Sequence, residues 1–222
     1  MHNADGASAQ PIDWLLVWRS VAAELAEDKL PPKFLTEDRI RTATLRSLDM
    51  QIDLASHAEI ESLAVNLGGM KNDRLDLAVQ EGAGTTVVEF KFPREPRQTE
   101  PPWPDHLGSF LADIYRLGAL IGGGQVRHAI QVLVSGPAFF GYVRRRMSPL
   151  GLSAYQSEER TPRVFNLAPA AVAQLAPTTR GKIQRYEILW RITATRTTEH
   201  EISNKGIWLA AYDVHGQRIA GG

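Results

Sequence analysis

Two acids and a lysine stand out in the stretch Asn72–Phe92, NDRLDLAVQEGAGTTVVEFKF. Asp76 lies in one apolar run, and Glu89 and Lys91 form a Glu-x-Lys in the next. At strand period each run has an apolar face and a charged face, and the two glycines of the connecting EGAGT favour an antiparallel hairpin. If Asp76 pairs near Glu89, two carboxylates and one ammonium meet on one face. That set can hold a divalent metal and polarise a water, which indicates metal-assisted hydrolysis.

The composition limits the classes of protein that this chain can belong to. Its 222 residues, 43% of them hydrophobic, suffice for one well-packed domain. Twenty-five basic and 25 acidic residues leave no net charge, so any basic surface must be local. The lack of cysteine excludes disulfides, thiolate metal sites and cysteine nucleophiles. No apolar run is long enough for a membrane span, so we expect no membrane partner. Residues 1–10 do not have the pattern of a signal peptide, so we expect a disordered leader and a cytoplasmic location.

Hydrophobic periodicity predicts the elements that position these residues. Helical spacing predicts helices over 11–29, 36–51, 105–121, 137–147 and 168–176. Strands are predicted at the hairpin and over 59–65, 127–135, 182–196 and 206–215, the last two as a terminal hairpin, and 93–104 reads as a proline-rich surface loop. We therefore expect an α/β fold with a central mixed sheet flanked by helices. The predicted division is a leader over 1–10, a core over 11–150 and a C-terminal β-rich, α+β extension over 151–222 packed on that core.

The chain resembles the PD-(D/E)XK, or restriction endonuclease-like, nuclease superfamily in one motif. In this motif an acid is followed, after a dozen residues, by Glu-x-Lys at the end of an apolar strand. The resemblance spans roughly Leu35 to Ser135 and includes the order αβββαβ. Carried over by position, Asp76 is the first acid of the motif, Glu89 the second and Lys91 its lysine. The residue before Asp76 is a leucine, where the motif is named for a proline.

This resemblance implies a nuclease that uses Mg²⁺ or Mn²⁺ to hydrolyse DNA. Asp76, Glu89 and the backbone carbonyl of Phe90 would bind the metal. Lys91 would orient or activate the attacking water and stabilise the charge that develops on the phosphate. Many members add a glutamate from the helix before the meander, and Glu37 lies where that residue falls, as a further catalytic and metal-binding candidate.

Other candidates would contact the substrate or a second protomer. Arg116, Gln131 and Arg94 belong to the helix, strand and loop that follow the motif, so they are expected to border the same cleft. Nucleic acid, in the first instance DNA, is the expected partner. Cutting both strands of a duplex with one site per chain would require a homodimer.

Each of these interpretations has a simpler alternative. Asp76 and the Glu-x-Lys can form a solvated face with a cross-strand ion pair. Glu37 can complement the helix dipole, and Glu61 is an alternative upstream acid. Asp113 and Arg116, one helical turn apart, read as a pair on the helix surface. At the level of function, the alternative is a catalytically silent nuclease-like fold that binds nucleic acid or assembles with proteins, and RNA is an alternative substrate.

Overall fold

The hairpin predicted around Asp76 and Glu89 forms, and it belongs to one large mixed sheet. The computed structural model describes residues 11–29, 31, 35–63, 74–82, 84–93, 103–156, 158–184, 190–202 and 205–219. Within these residues, seven α-helices and eight strands give an α/β architecture, as the sequence predicts. The predicted leader at 1–10 and most of the predicted loop at 93–104 lie outside the described residues.

The helices are α1 (Trp14–Glu27), α2 (Glu37–Asp49), α3 (Leu54–His57), α4 (Trp103–Gly122), α5 (Pro137–Met147), α6 (Pro169–Val172) and α7 (Pro177–Gln184). The strands are β1 (Ala58–Leu63), β2 (Arg74–Glu81), β3 (Gly84–Lys91), β4 (His128–Ser135), β5 (Ser153–Ala154), β6 (Val164–Leu167), β7 (Trp190–Ile202) and β8 (Ile207–Arg218). None of the described helices is both long and apolar enough to cross a membrane.

The strand order in the sheet is β1-β2-β3-β4-β8-β7-β6-β5. Strands β1, β2 and β3 form the predicted antiparallel meander, whose tight turn uses Gly82 at a left-handed φ of 56°. Strand β4 then pairs parallel to β3, because the intervening α4 carries the chain back across one face of the sheet. The carboxyl ends of β3 and β4 therefore lie side by side.

Alternating side chains divide the core into two layers, one on each face of the sheet. On β3, Val87 packs in the layer formed with α4 and α5, whereas Val88 packs in the layer formed with α1 and α2. Glu89 and Lys91 follow the same alternation as Val87, so they point toward α4. This face carries the candidate site.

Helices α1 and α2 confirm the helical spacing that predicted them. Trp18, Val21 and Leu25 of α1 are buried, whereas Leu15 of the same helix is 54% exposed. Thr36 caps α2, since its side-chain oxygen accepts the Arg39 N–H at 3.3 Å.

The prediction of a strand from Lys182 is wrong over 182–184. Residues 177–184 form α7, which begins with Pro177 at its first position. Residues 185–189 lie outside the described residues, and the predicted strand is present from Trp190 as β7. Tertiary contacts hold this helix against α4: Lys182 Nζ donates to the Asp105 carbonyl at 3.1 Å and lies 3.0 Å from Ser109 Oγ.

The terminal hairpin of β7 and β8 is confirmed, and β8 pairs antiparallel with β4. Residues 151–222, expected as an extension packed on the core, thus continue the sheet itself. Where α4 crosses β8, the backbones touch: a Cβ at Gly216 would lie only 1.8 Å from the carbonyl oxygen of Gly118. Glycine at this crossing lets α4 sit close to the sheet, which fixes the helix that faces the site.

Candidate active site

Asp76 and Glu89 lie close together where the pairing of β2 with β3 ends. Leu77 opposite Val88 is the last pair at this end of the hairpin, Asp76 and Glu89 are the next residue on each strand, and Asp76 is near enough to raise the pKa of Glu89. The backbone N–H of Phe90 donates to Asp76 Oδ2 at 2.8 Å, which fixes the orientation of that carboxylate. Lys91 lies two residues beyond Glu89 and shares its face. The structure therefore brings these three predicted residues together at the carboxyl end of β3.

Helix α4 adds Asp113 and Arg116 to the same place. Arg116 Nη2 lies 2.6 Å from Glu89 Oε1 and 3.4 Å from Asp113 Oδ1. Lys91 Nζ lies 2.9 Å from Asp113 Oδ2. Lys91, Asp113, Arg116 and Glu89 thus alternate in sign, and we call them the four-charge cluster.

Asp113 and Arg116 are each only 8% exposed, so the interpretation of the two as a helix-surface pair is wrong. The sequence does contain a signal for their burial. Both lie between apolar neighbours in the 111–117 stretch of α4, LADIYRL, which is buried throughout. A charged side chain in such a stretch must find a partner across the interface, because an unpaired buried charge is costly.

Burial and neighbouring charges set the protonation of Glu89. Loss of solvent raises the pKa of Glu89 well above its ordinary value, Asp113 and Asp76 raise it further, and Arg116 opposes this increase. A carboxylate placed this way is stabilised in its charged form by any additional cation.

Lys91 stays charged at neutral pH. Burial lowers the pKa of Lys91, but Asp113 and Glu37 outweigh that effect and leave the pKa above its ordinary value. The ammonium is therefore suited to orienting a water or a phosphate oxygen and to stabilising negative charge. Accepting a proton as a general base would require it first to lose one, against these carboxylates.

Glu37 lies next to the end of β3. Its Oε1 accepts the backbone N–H of Phe92 at 2.9 Å, one residue beyond Lys91. This contact ties the first residue of α2 to the strand that carries the Glu-x-Lys. Glu37 thus borders the site, as the sequence predicts for an acid from the preceding helix.

Arg41 is a site residue that the sequence reasoning missed. Its Nη2 lies 3.9 Å from Asp76 Oδ1 and 2.9 Å from Asp38 Oδ1. Its Nη1 lies 3.4 Å from Oε1 of Glu61, and Glu61 also pairs with Arg74 at 3.0 Å. Glu61, the alternative upstream acid, is thus engaged by two arginines beside the site.

The remaining candidates differ in where they lie. Gln131 pairs with Glu89 in the parallel register and is fully buried, and its Nε2 lies 3.3 Å from the carbonyl oxygens of both Glu89 and Val132. Phe90 buries its ring in the opposite core layer, while its N–H holds Asp76. Arg94 lies outside the described residues.

The donor set fits a hard divalent cation held by few protein ligands. Among the described residues, no three or more histidine, aspartate or glutamate side chains stand grouped to hold a metal ion. Mg²⁺, however, keeps several waters and binds through one or two carboxylates plus substrate phosphate oxygens. Asp76 and Glu89 supply two such carboxylates at the end of the β2–β3 pairing. Burial first, and then Asp113 and Asp76, raise the pKa of Glu89, and a bound cation would oppose that increase.

No family model, curated protein or solved structure matches this chain. What the protein does is therefore inferred from its own side chains.

Proposed function

We propose that this protein is a metal-dependent nuclease that hydrolyses DNA phosphodiester bonds with Asp76, Glu89 and Lys91. The observation that carries the proposal is the convergence of these three side chains at the end of β3. Glu89 and Lys91 contact residues of α4, and Asp76, held by the Phe90 N–H, lies near enough to raise the pKa of Glu89. The order of helix, three-stranded meander, helix and parallel strand agrees with the αβββαβ pattern of the restriction endonuclease-like fold.

Asp76 and Glu89 would hold Mg²⁺ or Mn²⁺, with the Phe90 carbonyl and Glu37 as further candidate ligands. A bound divalent ion lowers the pKa of a bound water and offsets charge on the phosphate. The Phe90 N–H keeps Asp76 aimed across the strand pair. Lys91, held charged by Asp113, would lie beside the phosphate and stabilise the negative charge of the transition state.

Arg116 and Asp113 act in this proposal as positioning residues. Arg116 lowers the pKa of the buried Glu89 carboxyl against the effect of burial, and Asp113 holds both cations of the four-charge cluster in place. Cleavage of both strands of a duplex would require two such sites, and hence a homodimer.

One observation favours a second candidate, a nuclease-like fold that binds nucleic acid or a protein without turnover. In the four-charge cluster each carboxylate already has a cation partner within 3 Å, Glu89 with Arg116 and Asp113 with Lys91. Ion pairs that are already complete in this way can stabilise the packing of α4 on the sheet without taking part in any reaction.

Cleavage assays separate the two candidates. The assay compares wild type, Lys91→Ala and Lys29→Ala, each with Mg²⁺, Mn²⁺ or EDTA. The substrates are supercoiled plasmid and single-stranded oligonucleotides of DNA and of RNA. Lys29 is exposed after the end of α1 and serves as the matched control. We expect metal-dependent cutting that falls by about 10²–10³-fold in Lys91→Ala and is retained in Lys29→Ala.

No cutting by the wild type under any condition would refute the nuclease. If that wild type still bound the oligonucleotides, the binding module would be the better account. The RNA arm tests the choice of DNA as substrate.

A further inference from the structure

A groove of about 600 Å³ lies between α5 and the 158–160 segment, and we call it the α5 groove. Pro137, Phe140 and Gly141 of α5 give it an apolar wall. Arg144, one turn further along the helix, and Arg160, from the opposite segment, add two guanidinium groups. Apolar surface flanked by two cations suits a ligand that carries both a phosphate and a planar base.

The α5 groove belongs to the same face and the same end of the sheet as the candidate active site. Helix α5 begins two residues after β4 ends, and β4 is parallel to β3. Ser135 Oγ, at the end of β4, donates to the Pro93 carbonyl at 3.1 Å, two residues beyond Lys91. Phe139 and Phe140 of α5 pack in the core layer that also contains the buried residues of α4.

Aromatic rings hold both arginines in place. The guanidinium carbon of Arg144 lies 4.2 Å from the ring centroid of Tyr155, and that of Arg160 lies 6.0 Å from the ring centroid of Trp208. Trp208 pairs with Ser135 at the end of β4. Arg144 is further fixed because its Nη2 donates to the Glu159 carbonyl at 2.8 Å. Arranged in this way, the cations lose little freedom when they meet an anion.

Of the two acids in the lining, Glu159 is paired inside the protein and Glu158 lies on the exposed surface. Glu159 Oε1 lies 2.5 Å from Arg196 Nη2, and its Oε2 accepts the backbone N–H of Gln156 at 2.7 Å, so both oxygens are engaged inside the protein. Glu158 is exposed. Helix α5 itself carries three arginines and no acid, in a chain whose net charge is zero.

We propose that the α5 groove binds one nucleotide of a single strand of the nucleic-acid substrate, outside the cleavage site. The phosphate contacts Arg144 and Arg160, and the base or sugar lies on Phe140 and Gly141. This inference rests on the proposed function, because it extends the path of the same substrate from the end of β3 to α5.

Binding of a fluorescent single-stranded oligonucleotide, measured by anisotropy in EDTA over a range of salt concentrations, tests the groove without cleavage. Arg160→Gln removes the exposed cation. Gly141→Leu fills the groove, and space allows it, since a Cβ at this helical position meets only Arg145 Nη1, at 3.5 Å. Arg146→Gln is the matched control, because it removes an equal charge from an exposed position of α5 that does not line the groove. Urea unfolding confirms that each variant is folded.

We expect Arg160→Gln to weaken binding on the order of fivefold and to reduce the slope of log affinity against log salt by about 0.7, as loss of one phosphate contact on a single strand does. Gly141→Leu should weaken binding at least as much, whereas Arg146→Gln should bind like the wild type to within about twofold. Equal affinities of wild type, Arg160→Gln and Gly141→Leu would overturn the proposal, as would the absence of wild-type binding.

Cleavage of the same oligonucleotide with Mg²⁺ is measured in parallel. A wild type that binds through the groove but never cuts would refute the nuclease and leave the groove established. If Gly141→Leu binds and cuts the oligonucleotide as well as the wild type does, the groove proposal is refuted and the nuclease proposal stands.

Discussion

Replacing Arg116 with methionine tests whether the four-charge cluster controls the ionisation of Glu89. The substitution keeps most of the buried aliphatic length and leaves Glu89, which is 3% exposed, without the cation 2.6 Å away. Breaking a buried ion pair by removing one partner costs roughly 3–5 kcal/mol. Protonation sets a ceiling on this cost. Neutralising a carboxylate of ordinary pKa near 4.3 at pH 7 takes about 3.7 kcal/mol, at about 1.36 kcal/mol per pH unit, and the ceiling is lower for Glu89 because its pKa is already raised.

The cost should therefore depend on pH. The pKa of Glu89 is already raised by burial, and Arg116 opposes that increase, so the variant raises the pKa further. A group whose pKa is higher in the folded state makes folding less favourable as pH rises from the unfolded to the folded value. Both proteins lose stability equally up to the folded-state pKa of Glu89 in the wild type. We therefore expect the extra loss in Arg116→Met to be absent where Glu89 is protonated in both folded proteins and to grow as pH rises above that wild-type value, remaining below about 4 kcal/mol at pH 7.

Urea unfolding of wild type and variant in EDTA, at intervals from pH 4.5 to 7.5, measures this difference directly. The double variant Glu89→Gln/Arg116→Met is the control, because it has no Glu89 carboxylate to titrate and should lose the pH dependence. A loss that does not change with pH, or a pH dependence that the double variant retains, would refute the assignment of Arg116 as the group that lowers the pKa of Glu89.

Three other substitutions test how the site is positioned. Gly216→Ala should destabilise the protein by about 1–3 kcal/mol in urea unfolding, because its Cβ would overlap the α4 backbone, whereas Gly181→Ala, whose Cβ meets nothing within 4 Å, should be neutral or stabilising; equal stabilities would contradict the close crossing. Thr36→Ala should cost about 1 kcal/mol by removing the cap of α2, and an unchanged urea midpoint would show that the cap is dispensable. Asp113→Asn should slow metal-dependent cleavage by about tenfold, less than Lys91→Ala does, because Lys91 remains but loses its anchor; a wild-type rate would show that Asp113 does not position Lys91.

Local pattern predicted the hairpin, the meander and most helices because those signals are contained in short stretches. The alternation around Asp76 and Glu89 fixes which side chains share a face, and the turn glycines fix the pairing. The failure at Lys182 has a tertiary cause, since α7 is held by contacts between Lys182 and the distant first turn of α4. The strand-like pattern of the residues after α7 carries no information about a contact between Lys182 and a distant helix.

The sequence by itself determined the three converging charges of the site, Asp76, Glu89 and Lys91, because strand period and hairpin pairing are local properties. Tertiary structure decided what those charges meet. It placed Asp113 and Arg116 inside the molecule and Arg41 beside Asp76, since helix packing brings together residues distant in the chain. It also placed β8 next to β4, which makes the last third of the chain part of the sheet. Burial follows from this packing, and burial in turn sets the charge state of each side chain in the site.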